Sequence, residues 1–202
     1  MAGDRSPIRL ETERLLMHLP GPEAAPRMVH YYEQNRAHLT PWEPPLPRAM
    51  FTQSFWQQRL TQNQDEYVSG QSMRLVVREK DEPTGRVLGL VNLTQFVRGA
   101  MMACTLGYSL AEDAVGQGFM TEALRGATGH AFSHFGLHRI LAHYMPVNER
   151  SGAVLRRVGF QIEGYAREFV FINGAWRDHI LTSLLNPAPV TPEYLASPKR
   201  KA

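Results

Sequence analysis

From Leu106 to Phe135 the chain reads LGYSLAEDAVGQGFMTEALRGATGHAFSHF, and the rest of the protein has to be arranged around this run. Leu106 to Leu110 is apolar and aromatic enough for a buried strand. Ala111 to Gly118 is a turn carrying the pair Gly116 and Gly118. From Phe119 onward apolar side chains recur at Phe119, Met120, Ala123, Leu124, Ala127, Ala131, Phe132 and Phe135. That spacing of three and four marks one face of a helix.

A strand that turns through two glycines into a helix leaves unpaired N–H groups at the helix start. Together with the positive end of the helix dipole they suit a phosphate or pyrophosphate. Gly116 and Gly118 have no Cβ, so the main chain can approach a ligand closely. An ordinary tight strand-to-helix turn would use the same glycines. Two known signatures do not fit. A nucleotide-binding P-loop needs Gly-Lys-Ser/Thr where Phe119 and Met120 stand, and a dinucleotide fingerprint needs a third glycine where Thr121 stands.

On either side the chain alternates strand-like and helix-like runs. Ile8 to Leu19 reads as a first strand, ended by Pro20-Gly21-Pro22. A short helix is expected over Glu23 to Asn35 and another from about Thr52 to Tyr67. Between them Pro41, Pro44, Pro45 and Pro47 exclude regular structure. Met73–Arg78, Arg86–Phe96 and Met102–Leu110 follow as antiparallel strands, and Ile140–Met145 as a parallel partner reached by a right-handed crossover. Asn148 is placed to cap a helix over Glu149 to Val158 that stops at Gly159. Asn173-Gly174 joins strands Gln161–Ile172 and Ala175–Leu185 as a two-residue hairpin.

A chain of 202 residues suits one domain. The division expected is a leader over residues 1–7, a single domain over 8–186, and a flexible Pro-rich tail over 187–202 ending Lys199-Arg200-Lys201. The formal charge of +3 is too mild to argue for specific nucleic-acid binding, though the tail's basic end offers a weak ribosome contact. The single cysteine, Cys104, rules out an internal disulfide or a cysteine metal cluster and reads as a core residue. No apolar run is long enough for a membrane span, and the N-terminus has no signal-peptide core, so a cytoplasmic protein is expected.

The strand, the turn Gly116-Gln117-Gly118 and the amphipathic helix resemble the acetyl-coenzyme A motif of the GNAT acetyltransferases. Leu10-Glu11-Thr12-Glu13-Arg14-Leu15, Pro41-Trp42-Glu43-Pro44, Asn148 with Ser151, Gly159-Phe160 and Asn173-Gly174-Ala175-Trp176-Arg177-Asp178-His179 occur in the order seen in ribosomal-protein-alanine N-acetyltransferases of the RimJ type. The resemblance runs from about Ile8 to Leu185. It implies an α/β (α+β) GNAT fold, a mixed, mostly antiparallel central sheet of about seven strands flanked by about four helices. It implies acetyl-coenzyme A as co-substrate, no metal, and a protein N-terminus, that of an alanine-starting ribosomal protein, as acceptor. A small amine such as a polyamine or aminoglycoside, or a non-catalytic coenzyme A-binding role in ribosome assembly, are the alternatives. Monomer and homodimer both remain open.

The resemblance also assigns residues. Main-chain groups around Tyr108, Ser109 and Leu110 would pair with the pantetheine arm and polarise the thioester. Amides of Val115, Gly116, Gln117, Gly118, Phe119 and Met120 would hold the pyrophosphate. Asn148 and Ser151 would contact the cofactor arm, and Ser151 is the candidate for protonating the departing sulfur. Trp42 and Glu43 would wall the acceptor pocket, with Glu43 attracting a cationic amine. The chain departs from the wider superfamily at Asp113, where many relatives carry Gln or Arg, and at Leu155, where a Tyr often serves as acid.

Acetyl transfer to an amine needs an uncharged nucleophile and a donor at the carbonyl oxygen. An α-amine with a pKa of ~7.8 is roughly 10–15% neutral at pH 7, whereas a lysine amine at ~10.4 is neutral only about 0.04% of the time. A modest carboxylate therefore suffices for an N-terminal acceptor. Glu168 and Glu43 are the candidate bases; either would serve equally well as a surface charge. His143 and His179 titrate near neutrality, but each lies in an apolar strand where a structural role is commoner.

Overall fold

The structure, a computed structural model, describes residues 8–82, 85–188 and 190–192. The leader 1–7 and most of the expected tail lie outside the described residues.

The first departure from expectation comes at once. Ile8–Leu19 is not one strand but a hairpin of β1 (Arg9–Glu11) and β2 (Leu15–His18), paired antiparallel with Arg9 opposite His18. Thr12 makes the turn: its amide donates to the Leu15 carbonyl at 2.9 Å and its hydroxyl accepts the Leu15 amide at 3.1 Å. A short polar side chain that bonds the backbone locally competes with a continuous strand. This adds one strand to the seven expected. After a 3-10 turn come α1 (Ala25–Gln34) and the short α2 (Arg36–Leu39), then the proline-rich connection. α3 (Gln53–Val68) starts at Thr52, whose hydroxyl accepts the Phe55 amide.

The remaining elements are β3 (Met73–Glu79), β4 (Gly89–Val97), β5 (Ala103–Leu110), α4 (Phe119–Phe135), β6 (Arg139–Tyr144), α5 (Glu149–Val158), β7 (Gln161–Ile172) and β8 (Ala175–Leu185). The eight strands form one sheet in the order β1-β2-β3-β4-β5-β6-β8-β7. Every pairing is antiparallel except β5 with β6, which α4 connects. The described residues thus hold eight strands and five α-helices, against about seven and four expected.

The apolar face of α4 explains its place. Ala123, Leu124, Ala127 and Ala131 are fully buried, and the small side chains let the helix lie close against the sheet. Leu75, Val77, Val91 and Leu93 from β3 and β4 are equally buried in the same core. Cys104 is in it too, and burial pushes its thiol up to about 12, so it is an inert packing residue. The final hairpin turns through Asn173 and Gly174 as their sequence requires, both with positive φ.

One topological detail creates a site. The parallel register runs only from Ala103 opposite Arg139 to Leu106 opposite Ala142. Beyond it β5 continues to Leu110 bonded on its other side to β4, whereas β6, bonded to β8 along its whole length, ends at Tyr144. The edge of β5 from Gly107 to Leu110 is therefore open toward β6, and a cleft begins where the two strands part.

Candidate active site

The cleft has a volume of about 1920 Å³, more than a compact small molecule requires, so it can take an elongated ligand and an acceptor together. Its floor is the open edge of β5, with Tyr108, Ser109 and Leu110 all lining it. One end is formed by the glycine turn and the start of α4. The other walls come from the proline-rich loop, with Trp42 and Glu43, and from β6, β8 and α5.

At the turn, Glu112–Ala114 makes one 3-10 turn and the backbone then passes through Gly116 and Gly118 at φ 87° and 81°. Both values lie in the left-handed region, where a Cβ is strained. A side-chain atom built on Gly116 would meet nothing within 4 Å, so the space above it is open. Among the described residues the amides of Gly116, Gln117, Gly118, Phe119 and Met120 have no hydrogen-bond acceptor in the protein. Val115 is different: its amide donates to the Glu112 carbonyl at 3.3 Å. It was expected to join the anion-binding set, but the 3-10 turn consumes that donor. Gln117 is not among the residues lining the cleft; its side chain turns back to the Asp113 carbonyl at 3.1 Å, which leaves only its main chain for a ligand.

Arg14 braces this turn, a role that sequence reasoning did not assign although the residue lies inside a quoted motif. Its guanidinium donates to the Gln117 carbonyl at 3.0 Å, pairs with Glu122 at 2.7 Å and lies over the Phe119 ring at 4.6 Å. Arg125, Arg150 and Arg157 also line the cleft, giving it a cationic rim suited to a polyanion. Asp113, the first departure from the superfamily pattern, is turned out of the cleft and paired with Arg86, which holds its carboxyl below its ordinary value.

Along the middle of the cleft Asn148 accepts the Ser151 amide at 3.1 Å and so starts α5, while still lining the space. Ser151 Oγ lies 2.8 Å from the Tyr108 hydroxyl, which also donates to the Ser151 carbonyl at 3.0 Å. Burial pushes the Tyr108 phenol up to about 12, so it keeps its proton at neutral pH. Ser109 Oγ accepts from the Tyr31 hydroxyl at 2.9 Å, fixing the open edge of β5 against α1. Leu155 is buried in the core and does not line the cleft. Tyr144 does line the cleft, and it packs so tightly on α5 that a Cβ at Gly152 would come within 2.6 Å of its ring.

At the acceptor side Glu43 has no hydrogen bond or ion pair among the described residues, and burial pushes its carboxyl up to about 7. His143 and His179 both line the cleft. Burial, and secondarily the neighbouring His179, hold His143 below its ordinary value, and its Nδ1 has no partner. Glu168, expected as a base, is not brought to the cleft. It sits exposed in a bulge of β7 at φ 47°, its amide donating to Asp178 at 2.8 Å. Among the described residues no group of three or more His, Cys, Asp or Glu side chains is placed to hold a metal, and no helix is long and apolar enough to cross a membrane.

Comparison with known proteins follows the same lines. The acetyltransferase (GNAT) domain family matches residues 14–161. The chain is 40% identical over 180 residues to the [ribosomal protein uS5]-alanine N-acetyltransferase of Escherichia coli K12, covering 89% of this chain and 92% of that one. The crystal structure of the ribosomal-protein-S5-alanine acetyltransferase from Vibrio fischeri superposes with a TM-score of 0.85 at 37% identity, over 89% of this chain and 97% of that one. Mycobacterium smegmatis RimJ, solved in complex with CoA-disulfide, superposes with a TM-score of 0.78 at 27% identity, over 89% and 86%.

Proposed function

The chain belongs to the GNAT acetyltransferase family and is an N-acetyltransferase, and from that premise we propose that it moves an acetyl group from acetyl-coenzyme A to a protein N-terminal α-amine, the N-terminal alanine of a ribosomal protein. The observation that carries this reading is Glu43, a half-buried and unpartnered carboxylate in the same cleft as the five free amides of the glycine turn. The names of the E. coli and V. fischeri relatives support the ribosomal alanine acceptor.

The residues fit the coenzyme. The free amides from Gly116 to Met120, at the positive end of α4 and inside a ring of arginines, would hold the diphosphate. The open edge of β5 from Gly107 to Leu110 would bond the pantetheine amides as a neighbouring strand does, with Asn148 and Ser151 on the other side of that arm. When bound, the coenzyme supplies the acetyl group as a thioester.

The chain's own groups then do three things. Glu43 takes the proton from the acceptor's α-ammonium, and its carboxyl near 7 matches an amine near ~7.8 closely enough for transfer in either direction. An N–H at the β5 edge accepts the charge that develops on the carbonyl oxygen as the amine nitrogen bonds to its carbon. As the carbon–sulfur bond breaks, Ser151 gives its hydroxyl proton to the sulfur and regains one, through water, from the newly bonded nitrogen, while Tyr108, 2.8 Å away, keeps its own proton and holds the serine in place. The proton taken by Glu43 passes to solvent. Holding amine and thioester in line supplies much of the acceleration.

The test is a substrate panel. The purified protein with acetyl-coenzyme A is expected to acetylate an alanine-first peptide of ribosomal sequence and to leave spermidine untouched. Acetylation of spermidine alone would replace the acceptor assignment, and coenzyme binding with no transfer to any acceptor would remove the catalytic reading.

A further inference from the structure

An acceptor that arrives as an ammonium and leaves as an amide with one N–H sheds two protons in each turnover. Glu43, as the base, takes the first before attack and holds it until solvent removes it. The second can leave only after the nitrogen has bonded to the carbonyl carbon and become positively charged, while Glu43 is still protonated. A second base, on another wall of the cleft, meets that demand.

Sheet register brings one there. β6 pairs with β8 so that His143 stands opposite Leu181, and the last residue of β6, Tyr144, opposite Ile180. His179 is thus just past the end of β6 and, two residues from Leu181, shares the face of His143. The Phe169 ring of β7 meets both imidazoles on that face, His143 at 5.2 Å and His179 at 5.6 Å. On β5 the parallel register stops with Leu106 opposite Ala142, which puts Gly107 and Ser109 on the same face. A Cβ at Gly107 would meet nothing within 4 Å, so this face is open above the β5 edge. Ser109 is held there by Tyr31 of α1, and Glu43 lies close to that helix: burial, and after it the Glu43 charge, push the Tyr32 phenol up. Glu43 and His179 therefore reach the open edge of β5 from different elements.

His179 is only 5% exposed, yet it lines the cleft. Its Nδ1 lies 3.0 Å from the Arg177 carbonyl oxygen, which can only accept, so Nδ1 carries the hydrogen. The neutral ring then keeps its free electron pair on Nε2, which has no hydrogen-bond partner among the described residues. The adjacent carboxylate does not compete for it. Asp178 is committed to the Glu168 amide and the Tyr165 hydroxyl on β7.

We propose that His179 is the second base of the transfer, its Nε2 taking the proton that the acceptor nitrogen sheds after bonding to the carbonyl carbon. This rests on the acetylation of an amine proposed for this cleft. The N–H bond breaks with its electron pair left on nitrogen, and the proton joins Nε2. The imidazolium then passes it through water to the Ser151 oxygen, which has given its own proton to the sulfur. Both side chains end the cycle as they began it.

The experiment compares the wild type with His179→Ala, His179→Asn and His179→Gln, using acetyl-coenzyme A with an alanine-first peptide and, separately, with spermidine. Asparagine can keep the donor to the Arg177 carbonyl but lacks the distal nitrogen, so it separates a structural imidazole from a basic one. In His179→Ala and His179→Asn kcat is expected to fall at least about hundredfold, the scale of a general base. His179→Gln, which can accept a hydrogen bond near Nε2 but cannot hold a proton, should fall as far. The KM for acetyl-coenzyme A and the melting temperature should stay unchanged in His179→Asn. Added imidazole should restore part of kcat in His179→Ala and leave the wild type unaffected. A His179→Asn enzyme as active as the wild type, or a His179→Ala enzyme that imidazole fails to revive, would overturn the proposal while leaving the acetyltransferase reading intact. If the wild type acetylates spermidine and no peptide, the peptide acceptor is overturned, and the same losses read on spermidine still decide the role of His179. Transfer to neither acceptor would overturn both.

Discussion

Arg14 donates from its guanidinium to the main-chain carbonyl of Gln117 at 3.0 Å, joining the turn between the first two strands to the middle residue of the glycine turn. The same guanidinium is fixed by Glu122, which also accepts from Thr12 at 2.6 Å and from the Arg14 amide at 2.8 Å. The five free amides are thus preorganised by residues more than a hundred positions away in sequence. Arg14→Ala is expected to weaken coenzyme A binding at least about tenfold, since a hydrogen bond to a charged group is worth about 1.5–3 kcal/mol and the turn also loses its brace. Calorimetric titration checks this, with Arg14→Lys recovering only part of the affinity because lysine cannot hold Glu122 and Gln117 in one fork.

Gly118 sits at φ 81° with Arg14 Nη2 3.5 Å from the point where a Cβ would be. Gly118→Val should therefore cost about 1–3 kcal/mol of stability through backbone strain as well as abolish coenzyme binding. Gly129, inside α4 with nothing within 4 Å of its Cβ position, is the counterpart. Gly129→Ala should stabilise the fold by about 0.5–1 kcal/mol without touching affinity. Urea denaturation of the two variants gives both signs in one experiment.

The final hairpin, the crossover at α4 and the cap at Asn148 were all legible because each is written in local chemistry: Asn173-Gly174, a period of 3.6, an Asn before Glu149. The split of Ile8–Leu19 was not, because the apolar run hides a turn made by one threonine hydroxyl. The anion turn was readable as glycines, but not the loss of the Val115 donor to Glu112 or the pairing of Asp113 with Arg86. Those depend on how a 3-10 turn happens to close and on a side chain 27 positions away. Glu168 and Glu43 looked alike in sequence. A bulge in β7 carries the first away from the cleft, and prolines hold the second inside it.

Asp113 and Arg86 are both largely exposed, a class of pair worth about 0–1 kcal/mol. Asp113→Asn should accordingly leave stability nearly unchanged and coenzyme affinity within about twofold. A large gain in affinity would mean that the carboxylate does face the ligand. Titration of coenzyme A into the variant decides it.

Gly152 leaves room for the Tyr144 ring, which a Cβ would approach to 2.6 Å. Gly152→Ala must push the ring or α5 aside, at a cost of about 1–3 kcal/mol for overpacking. Because α5 also carries Ser151, kcat should fall further than stability alone explains. Thermal denaturation and steady-state kinetics on the same preparation separate the two effects.

Glu43 predicts opposite pH signatures in activity and stability. As the base, it must be ionised, so kcat/KM should rise through about pH 7, and Glu43→Gln should lose that limb. For stability the folded carboxyl titrates near 7 and the unfolded one near 4.5, so the native state holds the extra proton between them. Stability attributable to this group is then intact below the unfolded value and declines as pH rises through the folded one. Glu43→Gln should match the wild type in stability near pH 4 and exceed it at pH 8. A variant less stable at pH 8 would show that the carboxylate has a partner.

The most direct test of the central claim is amide NMR of the wild-type protein titrated with coenzyme A and, separately, with pantetheine, which lacks the diphosphate. The amides of Gly116, Gln117, Gly118, Phe119 and Met120 are expected to shift downfield with coenzyme A and to stay in place with pantetheine, while Tyr108 to Leu110 respond to both. Coenzyme A that binds with the five turn amides unmoved would contradict the account.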